Sequence, residues 1–358
     1  FNSSYIIINL VKKIKFKVKI QIIDTLILLL NNFLVKSKHI FLILFFFITE
    51  FCFTQDLTSI SLNGKWEVIY DYDNKSGSHN IGEITKLFDS NNPEVVKVPS
   101  CLESVKKDFE GVAVYKKSFL IPEIWENRNI EITFNAVNYL AEVWLNNEVV
   151  GTHKGGYTPF TFRLNETVKV GDTNTIFLRA VTPIVLTDKR IDGIGRLEVP
   201  SWRGAINGGI WQGVYLKSFG KIKVEDVFIK SDYQTHVVNL EINLENTISK
   251  DALSEMKIKF YDSNNNLIKK LESQINLNPG QNLINQQIVI ENAKNWEPNS
   301  PNLYKVQVEV NHAANKSDYW SYKFGFREFT MKNGKFFLNG NEFFLKGAFF
   351  EGLYPNGV

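Results

Sequence analysis

The sequence is short of the residues that mark several common kinds of site. Cysteine occurs twice, at Cys52 and Cys101, so no disulfide framework can staple the chain. If Cys52 leaves with a leader peptide, Cys101 has no intramolecular partner, and no His or Asp is spaced to make it a nucleophile. It reads as a buried structural thiol. Histidine is also sparse, and His39, His79, His153, His236 and His312 form no pair at ligand spacing. No metal site and no cofactor are expected. Gly193-Ile194-Gly195 follows no buried strand and opens no helix, so it is not a dinucleotide fingerprint, and no phosphate-loop, nucleophile-elbow or His-Glu-x-x-His motif occurs. Charge of one sign is missing too: 41 basic against 38 acidic side chains leave a net charge of +3, which excludes a strongly basic nucleic-acid binder. Helical periodicity is nearly absent.

What is present is apolar and aromatic, at 44% and 13% of the 358 residues, enough for a sizeable core in two to three domains. Residues 1–54 hold seven lysines and two acids, Asp24 and Glu50, so the basic balance sits in the N-terminal segment and the remainder is nearly neutral. Within that segment, Val35-Lys36-Ser37-Lys38-His39 precedes an apolar run from Ile40 to Ile48, and Cys52 and Thr54 stand at the −3 and −1 positions before Gln55. Residues 35–54 thus read as a signal peptide. The run is too short for a membrane span of about 20 residues, so the chain is expected to be exported, to the periplasm or beyond the cell, with a lipid anchor on Cys52 as the alternative. Residues 1–34 begin at Phe1 and show no steady period. They read as translated upstream AT-rich DNA without structure, the true start falling at Leu34 or Val35.

From residue 55 to 220 short β-branched and aromatic runs alternate with turn signals. Asn129-Ile130-Glu131-Ile132-Thr133-Phe134 has the period of a half-buried strand, and Asn146-Asn147 separates two strand patterns as a tight hairpin would. The fold class is mainly β, with a jelly-roll sandwich over 55–220. The pattern restarts near Gly220, and residues 221–322 match a generic immunoglobulin-like sandwich. Two Asn-Gly turns, Asn333-Gly334 and Asn339-Gly340, separate the strand patterns Phe329–Met331, Phe336–Leu338 and Phe343–Leu345, and the apolar run Lys346–Phe350 follows as a further, buried strand, so residues 323–358 read as the start of a third domain.

Four segments together resemble the N-terminal half of glycoside hydrolase family 2, the β-galactosidase, β-glucuronidase and β-mannosidase group. They are Val98-Pro99 with Gly111–Phe119, then Ala141–Asn147 through Gly155-Gly156-Tyr157-Thr158-Pro159-Phe160, then Asn207–Leu216, and last Trp296–Tyr304 with Phe324-Gly325-Phe326-Arg327 and Phe337–Gly340. The resemblance covers about residues 60–358. It implies a jelly-roll sugar-binding domain, an immunoglobulin-like domain and a (β/α)8 barrel, here only begun. It implies retaining hydrolysis of β-glycosides from the non-reducing end, by two glutamates on the fourth and seventh barrel strands. A barrel takes roughly 250 residues and 36 follow from Lys323 to Val358, so no catalytic residue is expected in this chain, which alone should be inactive.

The implied partner is a carbohydrate, with no nucleic acid and no stable membrane span. A homo-oligomer of the complete protein is compatible with the residues, which do not indicate one. Sugar sites pair aromatic platforms with polar groups, and Trp202 sits in a loop as such a platform would, whereas Trp144 lies in a strand pattern and Trp296 reads as a domain-end plug. Two positions depart from the family. Arg203 stands where galactosidases and glucuronidases carry an Asp, and Glu351 takes the place of a His near the sugar; it is either an acceptor of sugar hydroxyls or a loop acid. Trp202, Arg203 and Glu351 are the candidate substrate-binding residues, and the glycone stays open. The competing readings are a non-catalytic carbohydrate-binding β-sandwich protein and a structural adhesin. The segments at Gly325–Arg327 and Asn339-Gly340 favour the hydrolase, because a binding module needs no barrel hairpin.

Overall fold

Alternating apolar and polar residues become strands along almost the whole body of the chain. The computed structural model describes residues 58–198, 207–313 and 315–347; the upstream segment 1–34 and the signal peptide assigned to 35–54 lie outside them. The first sandwich is built from β1 (Ser59–Ser61), β2 (Gly64–Asp71), β3 (Glu94–Val98), β4 (Val112–Leu120), β5 (Asn129–Phe134), β6 (Val137–Asn138), β7 (Leu140–Leu145), β8 (Glu148–Lys154), β9 (Phe160–Arg163), β10 (Thr173–Val181), β11 (Gly209–Ile210) and β12 (Val214–Phe219). One sheet has the order β3-β2-β4-β10-β7-β8 and the facing sheet the order β1-β12-β5-β9. Their inner faces bury Trp66, Tyr115, Phe134, Ile176 and Leu216. Removing a large apolar side chain from water is worth about 1.5–3 kcal/mol each, so this interface is what closes the sandwich. The turn at Asn146 and Asn147 has φ of 50° and 72°, the paired positive values a two-residue hairpin needs.

One helix interrupts the expected β pattern. α1 (Ile81–Ser90) starts at Asn80, whose side chain accepts the Glu83 N–H at 3.2 Å, and it ends before Asn91-Asn92-Pro93. Its apolar residues Ile81, Ile84, Leu87 and Phe88 recur at helical spacing and cover the outer face of the six-stranded sheet, over Val112, Val114, Trp144 and Phe177. Trp144 is accordingly 1% exposed and is a core residue. A ten-residue helix between two loops is too short for its period to stand out in the sequence, although the Asn cap and the Pro stop were both there to read.

The second sandwich comprises β13 (Ile222–Ser231), β14 (Val237–Asn246), β15 (Ala252–Tyr261), β16 (Leu267–Leu277), β17 (Gly280–Val289), β18 (Trp296–Glu297), β19 (Ser300–Pro301), β20 (Tyr304–His312) and β21 (Asn315–Phe324). Sheets of order β13-β14-β17 and β16-β15-β20-β21 enclose Ile242, Leu244, Phe260, Val306 and Val308, and Phe326 closes the end of the core. Trp296 lies at that end, half-buried, with the Arg327 guanidinium 4.6 Å from its ring centroid. Polar contacts join the two sandwiches. The Asn129 amide donates to the Gly220 carbonyl at 2.6 Å, Arg128 donates to the Ser317 carbonyl at 3.2 Å, and Lys217 pairs with buried Asp318 at 2.9 Å.

Beyond Arg327 the chain forms β22 (Phe329–Lys332), β23 (Lys335–Leu338) and β24 (Asn341–Glu342). The connections are the two Asn-Gly turns, with φ of 50° and 73° at Asn333-Gly334 and 50° and 79° at Asn339-Gly340. The strand expected at Phe343-Phe344-Leu345 is not formed: pairing ends with the Phe343 N–H donating to Phe336 O at 2.8 Å, and Phe344 is 81% exposed. The apolar run from Lys346 to Phe350 extends beyond the described residues.

Candidate functional site

A long connection, with no strand among its described residues, leaves β10 at Thr182 and returns at β11. Loops of this length in a compact domain are uncommon and are usually either functional or linker segments, and this one is stapled along its described course. Thr182 Oγ1 donates to the Gly111 carbonyl at 3.0 Å and accepts the Gly111 N–H at 3.1 Å. The buried Glu110 carboxylate accepts from the N–H groups of Val185 and Leu186, from the Thr187 N–H at 2.9 Å and from the Thr187 hydroxyl at 2.6 Å.

Arg179 is the second staple. Its side chain is fully buried in β10 and reaches four residues in three segments at once. Nη1 donates to Glu142 Oε2 of β7 at 2.8 Å and Nε to Ser76 Oγ at 3.1 Å, while Nη2 donates to Asn74 Oδ1 at 2.6 Å and to Asp192 Oδ2 at 2.5 Å. Asp192 has φ of 50° and sits in a reversal closed by the Ile191–Ile194 bridge, whose two apolar side chains plug into the cluster under α1. Further on, Glu198 accepts the Gly195 N–H at 3.0 Å and pairs with Arg190 at 2.7 Å.

The returning foot of the loop is bound equally closely. Leu102 N–H donates to Gly208 O at 3.0 Å, Ser100 N–H to Ile210 O at 3.1 Å and the Asn138 amide to Asn207 O at 2.9 Å. Gly209 has φ of 87° and faces the Tyr115 hydroxyl so closely that a Cβ there would lie 2.1 Å from it. Trp211 donates its indole N–H to Gly156 O at 2.7 Å and meets Tyr157 edge-on, with centroids 5.6 Å apart. That bond occupies the only donor of Trp211, leaving its ring as an aromatic wall beside the loop. Nearby, His153 stacks on Phe160 at 4.2 Å, and burial lowers its imidazole below the ordinary value.

The tip between these feet carries Trp202 and Arg203. They, and Glu351 at the far end of the chain, lie outside the described residues, so their mutual placement is not part of the geometry. The residues that sequence reasoning passed over are those that hold the loop: Arg179, Glu142, Asp192 and Glu110. A signal existed for two of them. Glu142 in Ala-Glu-Val-Trp-Leu and Arg179 in Ile-Phe-Leu-Arg-Ala-Val are charges inside otherwise apolar strand runs, and charges so placed are rarely buried without a partner. Among the described residues no group of three His, Cys, Asp or Glu side chains is placed to hold a metal ion, and no helix is long and apolar enough to cross a membrane.

The Cys101 thiol is buried, 3.6 Å from Asn207 Oδ1, and burial is the main cause that pushes its pKa up. For Glu110, burial pushes the carboxyl up, but the donated bonds from Leu186, Thr187 and Val185 outweigh it and hold the group below its ordinary value. A folded pKa below the unfolded one means that stability from this anchor is present above the unfolded value, about 4.3, and is lost as pH falls through the folded one. Glu110→Gln is therefore expected to flatten the acid limb of a stability–pH profile. Chemical denaturation from pH 7 down to pH 3 checks this, and an unchanged acid slope contradicts it.

Comparison with known proteins places the two sandwiches. The family model for the glycosyl hydrolases family 2 sugar binding domain matches residues 95–216, and the model for glycosyl hydrolases family 2 matches residues 222–327. A β-galactosidase of Thermoanaerobacter pseudethanolicus is 30% identical over 279 residues, covering 75% of this chain and 36% of its own. A β-galactosidase of Thermoanaerobacterium thermosulfurigenes is 30% identical over 310 residues, covering 83% and 41%. A β-glucuronidase of Bacteroides fragilis is 24% identical over 332 residues, covering 87% and 44%. The chain thus spans less than half the length of these relatives. The fold matches the crystal structure of a Bacteroides uniformis β-glucuronidase with a TM-score of 0.64 at 19% identity, over 79% of this chain and 34% of that one.

Proposed function

The chain belongs to glycosyl hydrolases family 2, and on that premise we propose that it is the N-terminal part of an exported, retaining exo-β-glycosidase. The observation that carries the reading is the order of the two matched domains together with the stapled loop of the first. A sugar-binding sandwich that fixes both feet of a long loop so closely is suited to offering the segment between them, residues 199–206, to a ligand. The sandwiches supply walls and positioning; the acid/base and the nucleophile belong to the barrel begun after residue 323. Retention requires those two carboxylates about 5–5.5 Å apart.

The substrate is a β-linked glycoside. Arg203 at the Asp position and Glu351 at the His position distinguish this chain from standard galactosidases and glucuronidases, so the glycone is a matter for measurement. Export rests on the leader at 35–54. The complete protein, assayed with aryl β-galactoside, β-glucuronide and β-mannoside, is expected to hydrolyse at least one of them and to release the β-anomer first, as read by proton NMR. The 358-residue chain alone is expected to hydrolyse none. Sugar binding by the complete protein without hydrolysis would make it a carbohydrate-binding protein instead, and an α-anomer formed first would refute retention.

A further inference from the structure

β13 and β21 are the terminal strands of the two sheets of the second sandwich and run side by side. They are tied at one end by the Ile222 N–H to Ser317 Oγ at 2.7 Å and the Val224 N–H to Asp318 Oδ2 at 2.9 Å, and at the other by the Ser231 hydroxyl to Gly325 O at 2.9 Å. Between the ties the strands part, and a groove of about 650 Å³ opens, within the size range of small-ligand sites. Because each strand is the edge of its sheet, alternate backbone N–H and C=O groups along this stretch face the groove with no strand partner.

The side chains in the groove are unusual for a solvated edge. Phe228 on β13 is 57% exposed and Tyr322 on β21 is 65% exposed. Trp320 stacks with Tyr322, centroids 5.9 Å apart and planes 29° from parallel. Lys230, Lys323 and Arg327 line the same groove against a single carboxylate, Asp226. Neither lysine has an ion-pair partner among the described residues. Exposed aromatic faces, free backbone donors and acceptors, and unpaired cations are three separate features, and one ligand chemistry uses all of them.

We propose that this groove is a carbohydrate-binding site for an acidic polysaccharide, a chain of uronic-acid units. The aromatic faces pack against the apolar C–H faces of pyranose rings, the edge backbone groups meet hydroxyls, and the lysines pair with the carboxylates. An extended acidic peptide could add to the same edges, but it would have no use for the stacked Trp320–Tyr322 platform. The site lies on the second sandwich, apart from the loop of the first, and binding is read without hydrolysis. Its failure therefore leaves the glycosidase reading standing, and the reverse also holds.

The test uses the 358-residue chain immobilised at low density, with polygalacturonate as the probe in biolayer interferometry. Polygalacturonate is expected to bind, with affinity about tenfold lower for Tyr322→Ala and for Phe228→Ala, and lower also for Lys323→Gln. These side chains are exposed, so the variants should melt with the parent. The fully methyl-esterified polymer, the same backbone without its charge, is expected to bind more weakly. The proposal is overturned if polygalacturonate does not bind, if the Phe228→Ala/Tyr322→Ala double variant binds as the parent does, if the methyl ester binds equally well, or if polyglutamate binds more tightly than polygalacturonate.

Discussion

Replacing Arg179 with alanine lowers the unfolding free energy by about 3–5 kcal/mol, the cost of removing one partner from a buried ion pair. Arg179 has no exposed surface and Glu142 is 2% exposed. Without the guanidinium, the Glu142 carboxylate keeps, among the described residues, the Ser78 hydroxyl at 2.7 Å and the exposed His79 at 3.3 Å, and Asp192 loses its hold on the sheet. For a body of this size the melting temperature should fall by roughly 10 °C. Arg179→Lys should recover little of this, because an ammonium cannot reach Ser76, Asn74, Glu142 and Asp192 from one planar fork. Thermal melts of the two variants, with limited proteolysis over residues 183–198, read both consequences. A melt unchanged to within a degree or two, with the loop no more cleavable, would mean that the network does not clamp the loop.

The second large effect is expected at the other foot. Gly209→Ala should cost about 2–5 kcal/mol, the sum of two penalties that the structure separates. A φ of 87° is left-handed backbone, which costs a residue with a Cβ roughly 1–2 kcal/mol. The added carbon would also lie 2.1 Å from the Tyr115 hydroxyl and 2.8 Å from Leu102 Cγ, and overpacking of that kind costs about 1–3 kcal/mol. Tyr115 is fully buried among the core side chains, so it cannot swing away. Gly64 is the control: its φ is 104°, but a Cβ there meets nothing within 4 Å. Gly64→Ala should pay the backbone penalty alone, about 1–2 kcal/mol. Equal destabilisation of the two variants in urea titrations would show that the approach to Tyr115 is not the constraint.

The strands and hairpins of this chain were legible because their signals are local. Asn146-Asn147, Asn333-Gly334 and Asn339-Gly340 favour positive φ at both turn positions, and all six residues adopt it. The alternation in Asn129–Phe134 maps onto a strand, although its polar residues Asn129 and Glu131 are buried as well, by contacts to Gly220 and Lys223 that only the folded second sandwich supplies. Helix α1 was not read, since ten residues give the 3.6 period too few repeats to rise above β-like surroundings. At Phe343–Leu345 an apolar run was read as a strand, but an apolar run signals burial only where a neighbour exists to bury it, and Phe344 remains exposed among the described residues. The candidate site was legible in part. The loop and its aromatic company were visible as motifs. The Arg179 network was not, because its members are separated by up to 118 positions, from Asn74 to Asp192, and only the folded sheet brings them onto one guanidinium. Charges within apolar strand runs were the trace it left.

What the stapled loop is for is measured most directly by a crystal structure of the complete protein with its sugar product bound. The tip of the loop, at Trp202 or Arg203, is expected to touch the bound sugar while its feet keep the contacts made by Arg179, Glu110 and Gly209. A product bound with the whole 199–206 tip out of contact would contradict it, and would reduce the first sandwich to a structural support.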